Sequence, residues 1–296
     1  MKKFRITIAV LVFSLLFATS AFAADKKEIS NQAALYLIEK SNEAMEDVTS
    51  FKMEGIMEML LYLEMYGEVE SVEAAIEVEG LVDLSKGIYV NYDMDMGGQT
   101  ESAEIFMSEK GISMRMPMYG DAWETIEDDS IAELMAMVFS GDTAYADDML
   151  TDIGLDIAEI EAFEKNLYSS AQYTMNLKVG NKSYYVVEMS FDIKSLIDSM
   201  MGYMESAFIV QEADMYEGYA EEAMFMTEMM LNNIDGTMDM IMYIEKDTYY
   251  LGYTYMELSL DADLEMLLGA KMDLYLDYFL EYSEFNSKNL PFPTIN

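Results

Sequence analysis

The amino-acid sequence predicts an α+β fold: a strongly curved antiparallel sheet of about ten strands whose concave apolar face is covered by amphipathic helices. Hydrophobic residues make up 52% of the chain, and over most of its length they alternate with acidic residues. This alternation has the period of a strand that buries one face. Turn signals separate the alternating runs at hairpin spacing. Three other stretches have helical periodicity and can cover the single apolar face.

The N-terminal residues have the three parts of a secretory signal. The chain begins with the cationic stretch MKKFR, continues with an apolar run over 6–17 and reaches Ala-Phe-Ala just before Ala24. This order is typical of a signal peptide that is removed from the mature protein. The apolar run is shorter than the roughly 20 residues of a membrane-spanning helix. We therefore expect a signal peptide at 1–23 and a single domain at 24–296, soluble and outside the cytoplasm, either periplasmic or secreted.

The remaining elements follow in chain order. Ser30 is a good N-cap, and the apolar residues after it predict a helix that ends near Asp47. Further helices are predicted at 130–140 and from Ile193 to about Asn232. The period-two runs that predict strands are SFKMEGIMEMLLYLEMYG, EVESVEAAIEVEGLVDLS, IYVNYDMDM, EIFMSE, ISMRMPM, AQYTMNLKV, SYYVVEMSF, MDMIMYIE, YYLGYTYMELSL and AKMDLYLDYFLEYS.

The acidic charge limits the partners that the protein can have. The chain has 56 acidic and 17 basic residues and a formal net charge of −39. Such a surface repels nucleic acid and anionic lipid headgroups, so we expect no nucleic-acid partner and at most transient contact with a membrane. The expected partners are a hydrophobic small molecule or lipid held inside the protein, with a cationic protein as a second candidate. We expect a monomer. Acidity that only keeps a methionine-rich protein soluble explains the charge equally well.

The residue types needed for the commonest catalytic sites are absent. The sequence has no histidine and no cysteine, which removes the usual general base, the thiol nucleophile, disulfides and the acylated cysteine of a lipoprotein. It also has no nucleophile elbow, phosphate-binding glycine loop or Ser-x-x-Lys signature. We expect no enzymatic activity, no cofactor and no lipid anchor.

Methionine is the most unusual component, with 31 residues in the chain. In MDMIMYIEKDTYYLG it recurs at every second position, which places neighbouring thioethers on one strand face about 7 Å apart. Such thioethers suit Cu(I), but the residues are spread over almost every predicted strand, which favours the interior of the protein or the lining of a cavity for a flexible apolar guest. The candidate lining residues are Met57, Met59, Met94, Met96, Met114, Met116, Met200, Met204, Met238, Met240 and Met242.

One acidic stretch partly matches a calcium-binding loop. In DMDMGGQTESAE, four residues occupy the first, third, sixth and twelfth positions of that register: Asp93, Asp95, Gly98 and Glu104. The alternative is a hairpin whose exposed face is acidic.

The order of features resembles a family of bacterial envelope proteins known only as a domain of unknown function. The resemblance is carried by the signal sequence, by AALYLIEKSNEAMEDVTSFKMEG, by the single Trp in DAWETI, by IEKDTYYLGYTYMEL and by EYSEFNSKNLPFP. The family is placed with LolA- and LppX-like lipoprotein carriers. The resemblance implies an incomplete antiparallel β-barrel with a helical lid over a hydrophobic concavity, and a role in handling lipids or lipoproteins. Many relatives are anchored through a cysteine, which this chain lacks.

Two functional hypotheses remain from the sequence. The first is a non-enzymatic carrier or binder of a lipid or lipoprotein acyl chain outside the cytoplasm. The second is an envelope interaction or sensor protein of the same fold, whose core is filled by its own side chains and whose acidic surface binds a cationic partner.

Overall fold

The computed structural model describes residues 29–65, 67–96, 99–108, 111–117, 120, 122–126, 168–194, 233–264 and 269–293. The predicted signal peptide, the predicted helix at 130–140 and almost all of the predicted helical region at 193–232 lie outside the described residues. Met200 and Met204 lie outside them for the same reason.

Within the described residues, helix α1 spans Ile29–Glu46. Its end near Asp47 confirms the prediction, whereas Ser30, the predicted N-cap, lies inside the helix because the helix already includes Ile29. A short 3-10 helix spans Tyr168–Ser170. The strands are β1 (Ser50–Met65), β2 (Glu68–Asp83), β3 (Gly87–Met96), β4 (Gln99–Ser108), β5 (Gly111–Arg115), β6 (Glu124–Ile126), β7 (Gln172–Val179), β8 (Lys182–Asp192), β9 (Ile234–Glu245), β10 (Leu251–Leu264) and β11 (Ala270–Ser283).

All eleven strands form one sheet in the order β6-β5-β4-β3-β2-β1-β11-β10-β9-β8-β7. Every neighbouring pair is antiparallel. The first six strands form one half of the sheet and the last five form the other, and β1 pairs with β11 where the halves meet. Within the described residues the edge strands β6 and β7 do not pair with each other, so the sheet is not closed.

The pairing register gives the sheet two different faces. Met57 of β1 lies opposite Ile76 of β2 and Tyr278 of β11, whereas the next residue, Glu58, lies opposite Ala75 and Asp277. We call the face that carries Met57 the inner face and the other the outer face. The apolar and acidic sides predicted for the first strands therefore coincide with the two faces of the whole sheet.

Two packed clusters occupy the inner face. In one, α1 packs on β7 and β8 and inserts Leu37 and Ile38 among inner-face residues such as Val187 and Met242. The second cluster lies on the other half of the sheet and includes Met53, Val78, Val82, Ile88, Val90, Met107 and Ile112. The partly buried Tyr282 packs against both clusters.

Two glycines at the centre of the sheet leave room for close neighbours: Gly55 for the backbone of β11 and Gly80 for the side chain of Met53. A Cβ atom at Gly55 would lie 2.1 Å from the carbonyl oxygen of Phe279, and one at Gly80 would lie 2.2 Å from the Cε atom of Met53. Glycine inside a strand is typical of such approaches and of tight bends. A strongly curved sheet is compatible with these two positions.

The segment after β11 is fastened to the start of β1. Asn286 lies in the left-handed region with φ 57°, and its Oδ1 accepts a hydrogen bond from the Thr49 backbone N–H at 2.8 Å. Its own N–H donates to the Ser50 carbonyl at 2.7 Å. The stretch Ser-Glu-Phe-Asn at 283–286 therefore has a structural role: its asparagine ties the end of β11 to the start of β1.

We predict that Asn286→Ala lowers the free energy of unfolding by roughly 1–3 kcal/mol, because it removes the side-chain acceptor and replaces Asn, which tolerates the left-handed region, by Ala, which does not. Urea unfolding measures the change. Asn286→Gly is the matched control, since glycine tolerates this backbone conformation and loses only the hydrogen bonds of the side chain. Equal losses for the two variants would contradict a contribution from the backbone conformation.

Candidate functional site

The central strands carry an apolar surface that belongs to neither packed cluster. Its side chains lie on the inner face of β1, β10 and β11 and are half-buried, so each keeps part of its surface accessible. We call this surface the central apolar patch. It consists of Met57, Met59, Leu61, Met256, Leu258, Leu260, Leu274 and Leu276.

Strand pairing brings methionines from distant parts of the chain into one row across the inner face. The row crosses seven strands, from β8 to β3, and passes through the central apolar patch. Its members in spatial order are Met189, Met240, Met256, Tyr278, Met57, Ile76 and Met94. The period-two ladder of each strand is therefore one part of a continuous apolar face.

The predicted lining residues fall into different surroundings. Met57, Met59 and Met94 are half-buried on the inner face and belong to neither cluster. Met238 and Met240 are also half-buried, but they pack against the cluster beneath α1. Met242 is buried in the cluster beneath α1, and Met114 packs against the second cluster. Met116 follows β5 and is exposed. Met96 holds a register position opposite Ala74, and its side chain is not among those described.

Sequence reasoning missed the leucines of the central apolar patch. Leu274 and Leu276 are opposite Leu260 and Leu258 on one side and opposite Leu61 and Met59 on the other. Their alternation in AKMDLYLDYFLEYS already placed them on one face. Only the pairing of β11 with both β1 and β10, however, shows that this face lies at the centre of the sheet.

Tyrosine hydroxyls supply polar groups beside the patch. Burial raises the pKa of Tyr92. Burial also raises the pKa of Tyr278, and the charges of Tyr282 and Tyr92 raise it further. Both phenols therefore stay neutral at physiological pH. A neutral hydroxyl beside an apolar surface can orient the polar end of a guest without repelling it.

The acidic stretch that resembles a calcium loop forms a hairpin instead. Asp93 lies in β3 and accepts a hydrogen bond from Ser102, while Glu104 lies in β4 and binds Arg115 and Tyr89. Gly98 lies outside the described residues. Among the residues that are described, no group of three or more acidic side chains is placed to hold a metal ion.

The outer face is crossed by rows of carboxylates on neighbouring strands. Asp235, Asp261 and Asp273 lie directly opposite one another on β9, β10 and β11. Burial raises the pKa of Asp261, and its hydrogen bond with Asp273 and the charges of Asp273 and Asp235 raise it further. Like charges at opposed positions destabilise a sheet, so this row opposes folding when it is fully ionised.

Comparisons with known proteins found similar structures but no related sequence. No family model and no curated protein match the chain. LprF from Mycobacterium bovis is 10% identical, with 90% of this chain and 98% of that chain covered at a TM-score of 0.39. A DUF1329 family protein from Desulfovibrio piger is 7% identical, with 88% and 95% covered and a TM-score of 0.24.

A putative outer membrane lipoprotein-sorting protein domain from Vibrio parahaemolyticus is 10% identical, with 88% of this chain and 95% of that chain covered and a TM-score of 0.24. The chain is similar to all three structures over most of its length. At these TM-scores the similarities carry no inference about ligand or partner.

We predict that Asp261→Asn stabilises the protein at pH 7. Because the folded-state pKa of Asp261 is raised, folding favours its protonated form, and the stability that protonation confers is lost as the pH rises through that pKa. The melting temperature of the variant should exceed that of the wild type at neutral pH, and the difference should vanish in acid, where Asp261 is protonated.

Asp263→Asn is the control for this prediction, because Asp263 lies on the same face but forms an ion pair with Lys271 at 3.8 Å. It should not raise the melting temperature. A stabilisation by Asp261→Asn that persists unchanged in acid would contradict the electrostatic explanation.

Proposed function

We propose that the protein is a non-enzymatic binder or carrier of a hydrophobic ligand, a lipid or a lipoprotein acyl chain, and that it acts outside the cytoplasm without a lipid anchor. The observation that carries the proposal is the central apolar patch: a half-buried apolar surface between two packed clusters on one face of an open sheet. In this proposal the guest lies on the patch, and helices cover it as a lid.

The physical basis of binding is apolar burial. Removing apolar surface from water stabilises a complex by about 25 cal/mol per Å², so an acyl chain along the methionine row needs no single decisive residue. Methionine side chains are flexible and polarisable and adapt to guests of different shape. The neutral hydroxyls of Tyr92 and Tyr278 beside the row suit a ligand with a weakly polar end.

The acidic outer face is consistent with brief rather than lasting membrane contact, because it repels anionic headgroups. No helix within the described residues has the length and hydrophobicity to cross a membrane. A carrier that releases its guest at a membrane requires contact of this brief kind.

A second candidate function is supported by the outer face itself. Four carboxylates lie directly opposite one another on adjacent strands: Asp239, Glu257, Asp277 and Glu58. An envelope interaction or sensor protein with a core filled by its own side chains would use this face to bind a cationic partner. Native mass spectrometry of protein purified without detergent separates the two functions: a carrier retains lipid mass, and a self-filled core gives the mass of the chain alone.

Two adjacent leucines of β1 provide a matched test of ligand binding. Leu61 lies on the inner face opposite Leu274, and Leu60 lies on the outer face opposite Tyr275; both are half-buried. We predict that Leu61→Gln raises the Kd for a fluorescent fatty acid about tenfold, which is the loss expected when one apolar contact is replaced by an amide.

Leu60→Gln should leave this Kd within about twofold of the wild type, because the substitution is identical but faces away from the patch. Circular dichroism checks that both variants are folded. Equal weakening by the two substitutions, or no uptake of fatty acid by the wild type, would refute binding on the inner face.

A further inference from the structure

The outer face carries a short apolar strip across its centre. Four residues lie directly opposite one another on β9, β10, β11 and β1: Ile241, Tyr255, Phe279 and Ile56. Phe279 is 41% exposed and Ile56 is 48% exposed, while the other two are half-buried. We call these four residues the outer strip. It lies on the opposite side of the sheet from the central apolar patch, so a guest on the inner face does not cover it.

Carboxylates surround the outer strip. At its two ends, Glu188 lies opposite Ile241 and Glu77 lies opposite Ile56. Two positions along each strand, about 7 Å away, carboxylates also border the strip on both sides. They are Asp239, Glu257, Asp277 and Glu58 on one side, and Glu281 and Glu54 on the other. The remaining two positions of the second side are Tyr253 and Tyr243, and the ring of Tyr253 stacks on that of Phe279 with 5.7 Å between the ring centroids.

The charges on the first of these sides have no cationic counterpart in the described part of the chain. No described lysine or arginine forms an ion pair with Asp239, Glu257, Asp277 or Glu58. Lys52, on the other side, bridges Glu54 at 3.0 Å and Glu79 at 2.9 Å. Opposed like charges cost stability in a sheet, and a cation bound along this side would relieve that cost.

The dimensions of the outer strip match those of a helix. Three strand spacings separate β9 from β1, so the strip is about 14 Å long. At 1.5 Å per residue, this length corresponds to roughly nine helical residues. A helix along the strip would place one apolar stripe on the four side chains, and residues on both flanks of that stripe would reach the bordering carboxylates.

We propose that the outer strip docks a cationic amphipathic helix of a partner protein, with an apolar stripe bordered on both sides by Lys or Arg. Apolar contact with the strip fixes the position of the helix, and the surrounding carboxylates select for its charge. This proposal deepens the second candidate function by naming a surface and a partner chemistry. It does not depend on a ligand on the inner face.

The test uses a synthetic helix-forming peptide of about 18 residues, long enough to populate a helix in water. The peptide has a single Leu stripe bordered by Lys, and a scrambled isomer has the same composition. Isothermal titration calorimetry against the full chain should show saturable binding of the designed peptide at low ionic strength. The scrambled isomer should bind at least about tenfold more weakly, because it cannot present the stripe and the charges together.

Two pairs of substitutions separate the apolar and electrostatic contributions. Ile56→Ser with Phe279→Ser should weaken binding about tenfold and leave its salt dependence unchanged. Glu58→Gln with Asp277→Asn should weaken binding and flatten its salt dependence, because screening acts on the charges. The double variant Asp235→Asn with Asp261→Asn also removes two negative charges, but from a row four residues along the strands from Asp239 and Glu257. It should change the Kd by less than about twofold.

The results also separate this proposal from ligand binding on the inner face. All of these variants should bind the fluorescent fatty acid as the wild type does, since they alter only the outer face. Undetectable peptide binding, equal binding of the scrambled isomer, or equal weakening by the distant charge pair would overturn the proposal.

Discussion

The structure depends most on the pairing of β1 with β11. These strands lie more than 200 residues apart in the sequence, and their pairing, from Lys52 opposite Ser283 to Met65 opposite Ala270, joins the two halves of the sheet. The register of this pair decides which faces meet. A slip by one residue would place Met57 opposite Asp277 and would mix the apolar side of one half with the acidic side of the other. Because both strands have apolar residues at alternate positions, the slip would bring apolar and acidic side chains onto the same face along the whole pair.

The same constraint generates both candidate surfaces. Once the halves are in register, the apolar residues of the inner face form one continuous surface. In the described part of the chain, helix α1 packs on the end of this surface that β7 and β8 form. The outer face receives most of the acidic residues of the strands, although Glu68, Glu70 and Glu101 hold inner-face register positions. Carboxylates therefore become direct neighbours on the outer face, as in the row of Asp235, Asp261 and Asp273. The electrostatic cost of these rows is distributed over a large sheet whose stability comes from apolar burial. A single alternating pattern thus produces both the apolar face proposed to hold a guest and the acidic face proposed to bind a cationic partner.

The sequence alone was sufficient to predict features that depend on residues close together in the chain. The apolar spacing predicted α1, and alternation predicted most of the strands and the division of their faces. Strand β6 was not predicted, because three residues are too few to show a period. The register shift after Tyr173 in β7 was also invisible: it leaves Met175 opposite Val186 of the outer face, although alternation alone puts both residues of β7 on one side. The central apolar patch depends on pairings between distant strands, so the sequence supplied its methionines but not its position or its leucines.

Oxidation of methionine in the presence and absence of a fatty acid tests most directly whether the inner face holds a guest. Hydrogen peroxide converts accessible methionines to sulfoxides, and mass spectrometry of peptides locates the modified residues. Met57 and Met59 lie in the central apolar patch, whereas Met175 is 51% exposed on edge strand β7. Binding on the patch predicts that saturating fatty acid slows oxidation of Met57 and Met59 and leaves that of Met175 unchanged. Unchanged oxidation of all three, or equal protection of Met175, would contradict it.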